Sequence, residues 1–455
     1  MPWRNRWLVR AFAAAGLMSG PMLGASTAGE PREPVPGAGA ESRTVKVLEA
    51  EKAGELAVEV RGHGQDRVRV GLRNTSGRRL NVILPPGLVA SNAVGQGAFG
   101  GGGAQNMGLG AAINNAAGGF GQFAGQGQGQ NQGQDVGFRS VAPSPAAESA
   151  PSVTVPAGQE VSLEIPAVCL NFGKPTPTLR DRFRLVDVDD YSQDVRVRKA
   201  LRALATYGTS HGTAQAAMWR ICNDVPFDLM VAKGDKIVNP AEVALAARFV
   251  DAVDRSGDRL DPAYLSEARV FVSISGEGPM AKDAKRLAAE IDGLRVLGLA
   301  SRVVDRAEAP RASGPALFLD VKLTAGATGA TRGVVAVRSS NGLGEAGWQP
   351  LGDVELREGA SVSALDGSTL ARSIDRAVGS AFVTAKATRK STGSTTLRVE
   401  NRLPFTLAGI SVKAGQSAGA PVVNLPGLGI GPGRSGLATI EASRATVEAV
   451  ELNGL

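Results

Sequence analysis

The chain has 455 residues, of which 43% are hydrophobic, and a formal net charge of +7. This length exceeds one ordinary core and predicts about three domains. The charge is too small to indicate a nucleic-acid-binding protein. Beyond the N-terminus, no run approaches the roughly 18 uninterrupted apolar residues of a membrane-spanning helix. The sequence therefore predicts no nucleic-acid partner and, once the leader is removed, no integral membrane span.

The N-terminus has the three parts of a secretory signal. An apolar run of small and aliphatic residues covers 11–23, and small residues follow at 26–28. The basic start before the run consists of Arg4, Arg6 and Arg10. This order predicts a signal peptide over 1–28 and a secreted, periplasmic or cell-envelope location.

Alternating polarity dominates the next part of the chain. A Pro/Gly/Ala-rich segment, 29–43, is predicted to be a flexible linker. Strand-like alternation then begins, and it predicts an N-terminal Ig-like β-sandwich over 44–168. Residues from about 93 to 152 are rich in Gly, Gln, Asn and Ala, with almost no charge. Such a composition predicts a disordered insertion, because it buries too little apolar area to offset its conformational entropy.

Helical and strand periods alternate in the remainder, so the predicted fold class is α+β. Helical patterns predict a short helical region over 169–265, and mixed patterns predict a small α/β sandwich over 266–390. Strand patterns return in a C-terminal β domain, 391–455. Its order of strand, Asn401, strand, Gly/Pro turn and strand is similar to the N-terminal pattern, which suggests a distant internal duplication.

Two cysteines, Cys169 and Cys222, are the only ones in the chain. In an exported protein such a pair favours a disulfide, which is the preferred interpretation. A bond between them would close a loop of about 53 residues and stabilise the fold by roughly 4 kcal/mol.

Two short segments carry a resemblance to known proteins. The first reads Val-Cys-Leu-Asn-Phe-Gly-Lys-Pro over 168–175, and the second reads Gln-Ala-Ala-Met-Trp over 215–219. Together they resemble uncharacterised exported bacterial proteins with this core. More weakly, they resemble the thioester domains of bacterial surface adhesins, although the preceding Thr213 is displaced and the interval is short. That second resemblance implies an alternative in which Cys169 and Gln215 form an internal thioester that reacts with amines.

Helical spacing is compatible with both the disulfide and the thioester. Gln215 and Cys222 are seven residues apart, so they lie on one helix face, and Cys169 docked there could bond either of them. No catalytic, cofactor-binding or metal-binding motif is found elsewhere. The sequence therefore predicts a non-catalytic binding or scaffold protein of the cell envelope or exterior, whose partner is an unidentified protein or envelope component. The alternative is a covalent thioester-type adhesin.

Overall fold

A computed structural model describes most of the chain after the predicted leader. The described residues are 42–92, 104–110, 152–232, 238–261, 263–267, 269–278, 280–306, 314–325, 331–341, 347–357, 364–391, 394–415, 420–441 and 445–454. The predicted signal peptide, nearly all of the linker and most of the predicted insertion lie outside them. Residues 41–455 form one compact unit.

Ten short elements make up the N-terminal part. They are β1 (Arg43–Lys46), α1 (Val47–Lys52), β2 (Leu56–Gly62), β3 (Arg67–Asn74), β4 (Leu80–Ile83), β5 (Leu88–Asn92), β6 (Met107–Leu109), β7 (Ser152–Val155), β8 (Glu160–Cys169) and β9 (Arg182–Asp187). Strand β3 shows the predicted alternation clearly, since Val68, Val70 and Leu72 are fully buried and the residues between them are not.

The predicted Ig-like sandwich is not confirmed, because six of these strands close a barrel in the order β2-β3-β8-β6-β5-β9. The ten-residue β8 causes the closure: its first part pairs with β3, and its end, Ala167 to Cys169, pairs with β6. A separate three-stranded sheet, β1-β4-β7, shares the barrel's core. Strand β9 completes the barrel although it follows the predicted boundary at residue 168.

The prediction of disorder is wrong for residues 104–110, which contain β6. Met107 and Leu109 are buried in the barrel core, and Gly108 lies between them. Two apolar side chains on one strand face are enough to pair a short segment with β5 and β8, whatever the composition around it.

A helical layer follows the barrel. It comprises α2 (Val188–Tyr191), α3 (Val195–Tyr207), α4 (His211–Asn223), α5 (Phe227–Ala232), α6 (Pro240–Arg255) and α7 (Ala263–Ser266). The longest of them, α3, α4 and α6, lie within the region 169–265 that amphipathic spacing predicts to be helical. Asp194, Ser210 and Asn239 cap their N-termini by accepting main-chain N–H groups.

The α/β part is one mixed sheet with helices packed on it. Its elements are β10 (Val270–Gly276), α8 (Met280–Ile291), β11 (Arg295–Val296), β12 (Leu299–Val303), β13 (Ala316–Ala325), β14 (Thr331–Ser340), β15 (Gln349–Arg357) and α9 (Gly367–Phe382). The sheet order is β11-β12-β10-β13-β14-β15, with β10 parallel to both β12 and β13. Apolar residues of α8 and α9 share the sheet's core.

The C-terminal strands form two three-stranded sheets, β16-β17-β20 and β19-β18-β21. These strands are β16 (Val383–Ser391), β17 (Ser394–Asn401), β18 (Thr406–Ala414), β19 (Val422–Ile430), β20 (Ser435–Ile440) and β21 (Ala445–Asn453). One hydrophobic cluster runs from the α/β sheet through these strands, so the core is continuous across the predicted boundary at residue 390.

Two buried asparagines, Asn74 and Asn401, make the same set of hydrogen bonds in the N-terminal and the C-terminal β-rich parts of the chain. Asn74 Nδ2 donates to the carbonyl oxygen four residues ahead and to that of Val155, at 2.8 and 2.9 Å. Asn401 Nδ2 donates to the carbonyl oxygen four residues ahead and to that of Ile430, at 2.8 and 3.0 Å. In both cases Oδ1 accepts the main-chain N–H two residues ahead.

Strand registers and turns match around these asparagines. The first residue of β2 lies opposite Asn74, and the first residue of β16 lies opposite Asn401. The turn before β8 has Gly158 at φ 68°, and the turn before β20 has Gly433 at the same φ. Matching bonds, registers and left-handed glycines indicate that one β module occurs twice, as the sequence order suggested.

The second module is joined to the helical layer through Glu242 of α6, a fully buried carboxylate. It accepts hydrogen bonds from the main-chain N–H of Asn239 at 3.0 Å and from Arg434 Nη2 at 2.8 Å, and it lies 3.3 Å from Ser210 Oγ. A Cβ atom added at Gly212 or Gly431 would overlap this carboxylate. The two backbones approach so closely because both positions are glycine.

A partly buried carboxylate, Asp375, supports the two-residue turn between β11 and β12. Leu297 (φ 54°) and Gly298 (φ 80°) both have left-handed conformations there. Asp375 of α9 accepts the Leu297 N–H at 2.6 Å, and Leu452 donates to the Leu297 carbonyl at 2.9 Å. Burial raises the pKa of Asp375 to about 6.

We expect Glu242→Gln to lower the free energy of unfolding by about 2–4 kcal/mol, because it leaves the Arg434 guanidinium without its buried counter-charge. The double variant Glu242→Gln/Arg434→Gln should recover much of that loss. Urea denaturation measures both values, with Arg255→Gln, which breaks an exposed ion pair, as the control. A loss no larger than the control's would contradict a joining role for Glu242.

The raised pKa of Asp375 predicts a pH dependence of stability. The folded state binds this proton more tightly than the unfolded state, so the free energy of unfolding should fall as the pH rises from about 4 to 6. Asp375→Asn removes that loss and should stabilise the protein at pH 7.5 by up to about 3 kcal/mol. Denaturation curves from pH 4 to 8 measure the effect, and exposed Asp258→Asn is the control. A curve unchanged by Asp375→Asn would refute it.

Candidate functional site

Cys169 ends β8 at the junction between the barrel and the helical layer. Because side chains alternate along a strand, Val168 and Leu170 pack in the helical core while Cys169 packs in the barrel core. Its Sγ lies 3.6 Å from the carbonyl oxygen of Gln65. The thiol therefore faces away from the helices that follow.

Gln215 of α4 does lie beside Cys169, but it contacts the main chain. Its Nε2 donates to the Cys169 carbonyl oxygen, and its Oε1 accepts the Cys169 N–H, both at 2.9 Å. The buried carboxamide thus completes the hydrogen bonding of the strand end as a neighbouring strand would. The structure brings together the two residues of the alternative interpretation, and the thioester itself stays a prediction.

The preferred disulfide is wrong, because Cys169 and Cys222 are both free thiols. Cys222 packs against the helical core, whereas the alternation along β8 places Cys169 in the barrel core. Burial raises the pKa of each thiol to about 12, with smaller contributions from Asp66 and Asp194 respectively. Burial thus disfavours the thiolate form at both cysteines.

The described ranges contain neither a cluster of metal ligands nor a membrane-spanning helix. Within the described ranges, no group of three or more His, Cys, Asp or Glu side chains could hold a metal ion. No helix in those ranges combines the length and hydropathy needed to cross a bilayer. A further candidate for a functional site is a cavity lined by charged side chains.

That cavity lies between α6 and the start of the α/β sheet and has a volume of about 390 Å³. Three arginines and two carboxylates line it together with small and polar residues. The lining includes Arg248, Asp251, Arg255, Tyr264, Glu267, Arg269 and Asn341.

Arg248 is the central side chain of this cavity. Its guanidinium donates to the main-chain carbonyl oxygens of Tyr264, at 2.8 Å, and Gly454. Its Nε is buried and has no hydrogen-bond partner among the residues that the structure describes. Burial, and then the nearby Arg269, lower the pKa of Arg248 to about 9. Two cations are therefore held close together in a partly dehydrated place.

The other charges only partly balance this pair. Glu267 binds Arg269 at 2.6 Å, and Asp251 binds Arg255 at 2.7 Å. Of the three lining arginines, Arg248 is the one that forms no ion pair with a carboxylate in the described ranges. Burial also lowers the pKa of Arg269, the direction expected of a cation with too little counter-charge. The cavity thus carries a net positive charge.

Sequence analysis missed this site because its residues come from separate elements. Arg248 lies within α6 and Arg269 just precedes β10, so only folding brings them together. One local signal was available. Ala244 and Ala252 stand one helical turn before and after Arg248, so the arginine is flanked by small residues on the helix surface, where space for a ligand remains.

Comparisons with known proteins give no guide to the ligand. No protein-family model and no curated protein matches the chain.

Gln215→Ala should lower the free energy of unfolding by about 2–3 kcal/mol, because it leaves the buried N–H and C=O of Cys169 unsatisfied. Cys169→Ala should cost about 1 kcal/mol, since the thiol acts as a small apolar side chain. Urea denaturation compares the two. Intact-mass measurement tests the thioester directly: a deficit equal to one ammonia molecule, lost in Gln215→Ala, would contradict a purely structural Gln215.

Proposed function

We propose that this chain is an exported, non-catalytic binding protein of the cell envelope or exterior, and that the cavity beside α6 holds the anionic part of its ligand. The observation that carries this proposal is Arg248. It is a partly buried guanidinium with a free Nε and no carboxylate partner among the residues the structure describes. The N-terminal pattern of a basic start and an apolar run supports export.

The unpaired, partly dehydrated charge of Arg248 is the first reason to expect a ligand there. A partly dehydrated charge without a counter-ion destabilises a fold, and a second cation at Arg269 adds to that cost. An anion in the cavity would remove both penalties at once. A carboxylate or phosphate fits best, because the planar guanidinium presents parallel N–H donors to such groups.

The nature of the lining favours binding over turnover. Guanidinium groups stay protonated near neutral pH, even at the pKa of about 9 that burial gives Arg248, so they cannot act as general bases. The two carboxylates of the cavity, Asp251 and Glu267, are already bound to arginines. The lining can attract and orient an anion but provides no pair of groups that moves a proton.

We expect the protein to bind citrate or inorganic phosphate, with an affinity that falls as ionic strength rises. Isothermal titration calorimetry of the full chain measures this. Arg248→Lys should weaken binding by about tenfold, because a lysine keeps the charge but loses the planar donor set. Arg255→Gln, an exposed change at the cavity wall, should weaken it by about threefold.

Arg372→Gln is the matched control, since Arg372 is exposed on α9 and its bonds are to the nearby Ser368 and Thr369 hydroxyls. It should leave the affinity unchanged. Equal effects of Arg372→Gln and Arg255→Gln, or the absence of binding to every anion tried, would overturn the proposal.

A further inference from the structure

A row of arginines crosses the outer wall of the N-terminal barrel. In the strand registers, Glu164 of β8 lies opposite Arg69 of β3, Arg69 opposite Arg61 of β2, and Arg61 opposite Arg182 of β9. Three arginines therefore occupy directly opposed positions on three adjacent strands. We call Arg61, Arg69 and Arg182 the arginine row.

Alternation directs these side chains outward. On each strand the neighbours of the row are buried in the barrel core, as Val60, Val68 and Phe183 show, whereas the arginines keep solvent exposure. Like charges placed directly opposite on a sheet destabilise it. The opposed charges therefore need compensation, and Arg61 receives part of it by donating to the Leu179 carbonyl oxygen at 3.2 Å.

Acidic side chains compensate the row only in part. Glu164 is shared, because it accepts from Arg67 at 3.4 Å and from Arg69 at 3.2 Å. Glu59 accepts from Arg61 at 2.8 Å. Arg182 has no carboxylate partner within the described residues. Arg182, at the β9 end of the row, is thus an exposed guanidinium that no carboxylate in those residues neutralises.

The same four strands carry further basic residues. With Arg67, Arg73 and Arg184 they hold six arginines, against three glutamates and one aspartate. The aspartate, Asp187, is bound by Arg202 of α3 at 3.3 Å. The wall therefore carries an excess of basic side chains, at a place separate from the cavity beside α6.

We propose that the arginine row is a docking site for an extended acidic polysaccharide. Neighbouring strands lie about 4.8 Å apart, so the row spans about 10 Å of the wall, a length over which a flexible polyanion can present several carboxylates to it. A barrel wall accommodates a polymer laid across the strands better than a small molecule, which needs a concave pocket. This site is independent of the proposed ligand of Arg248.

Binding of polygalacturonate oligosaccharides to the full chain tests the inference, with neutral dextran, duplex DNA and phosphatidylserine vesicles as comparison probes. Arg61→Ser/Arg182→Ser should weaken polyuronate binding by about tenfold or more and reduce its salt dependence. The control Arg302→Ser/Arg372→Ser removes two exposed arginines elsewhere and should leave binding unchanged.

Stability provides a second readout that a structural role would not reproduce. Because the double variant removes opposed like charges, its melting temperature should equal or exceed that of the parent. Arg182→Ser alone, at the end of the row, keeps the test valid if the double variant folds poorly. No uronate binding by the parent, tighter binding of DNA or vesicles, or equal losses in both double variants would overturn the proposal.

Discussion

The position of helix α6 depends on one buried carboxylate. Glu242 completes the cap at the start of α6 and binds Arg434 of the second β module, so a single side chain sets both the helix end and the contact between two parts of the molecule. Four turns further on, the same helix ends at the arginine cavity. Arg248 ties its middle to the carbonyl oxygen of Gly454, after β21. The position of Arg248 in the cavity therefore depends on Glu242, near the start of the same helix.

The two β modules have equivalent buried hydrogen bonds but differ in the elements that surround them. Asn74 and Asn401 satisfy equivalent main-chain groups, which explains why this residue type occurs at both places despite little similarity around it. In the first module β8 extends beyond its partner β3, and the added strands close a barrel with an exposed wall. The second module packs against α9, whereas the first packs against the helical layer through β8. One architecture thus packs against different parts of the molecule in its two copies.

Both proposed sites place arginine side chains close to one another. Arg248 is partly buried beside Arg269, and the arginine row opposes like charges on neighbouring strands. Structural needs are met by neutral or paired groups elsewhere, as at Gln215, whose carboxamide satisfies the Cys169 main chain. Local energetic conflict in an otherwise consistent fold is a physical reason to look for a ligand.

The sequence by itself determined the periodic elements and the closeness of two residues. Alternation and amphipathic spacing act over a few residues, so β3, α3, α4 and α6 could be predicted, and the segment resemblance paired Cys169 with Gln215. Tertiary structure decided which atoms meet: the alternation along β8 places the thiol in the barrel and leaves the main chain for Gln215. It also decided barrel over sandwich, the strand at 107–109, and the meeting of Arg248 with Arg269. These outcomes depend on pairing between distant segments, which no local pattern encodes.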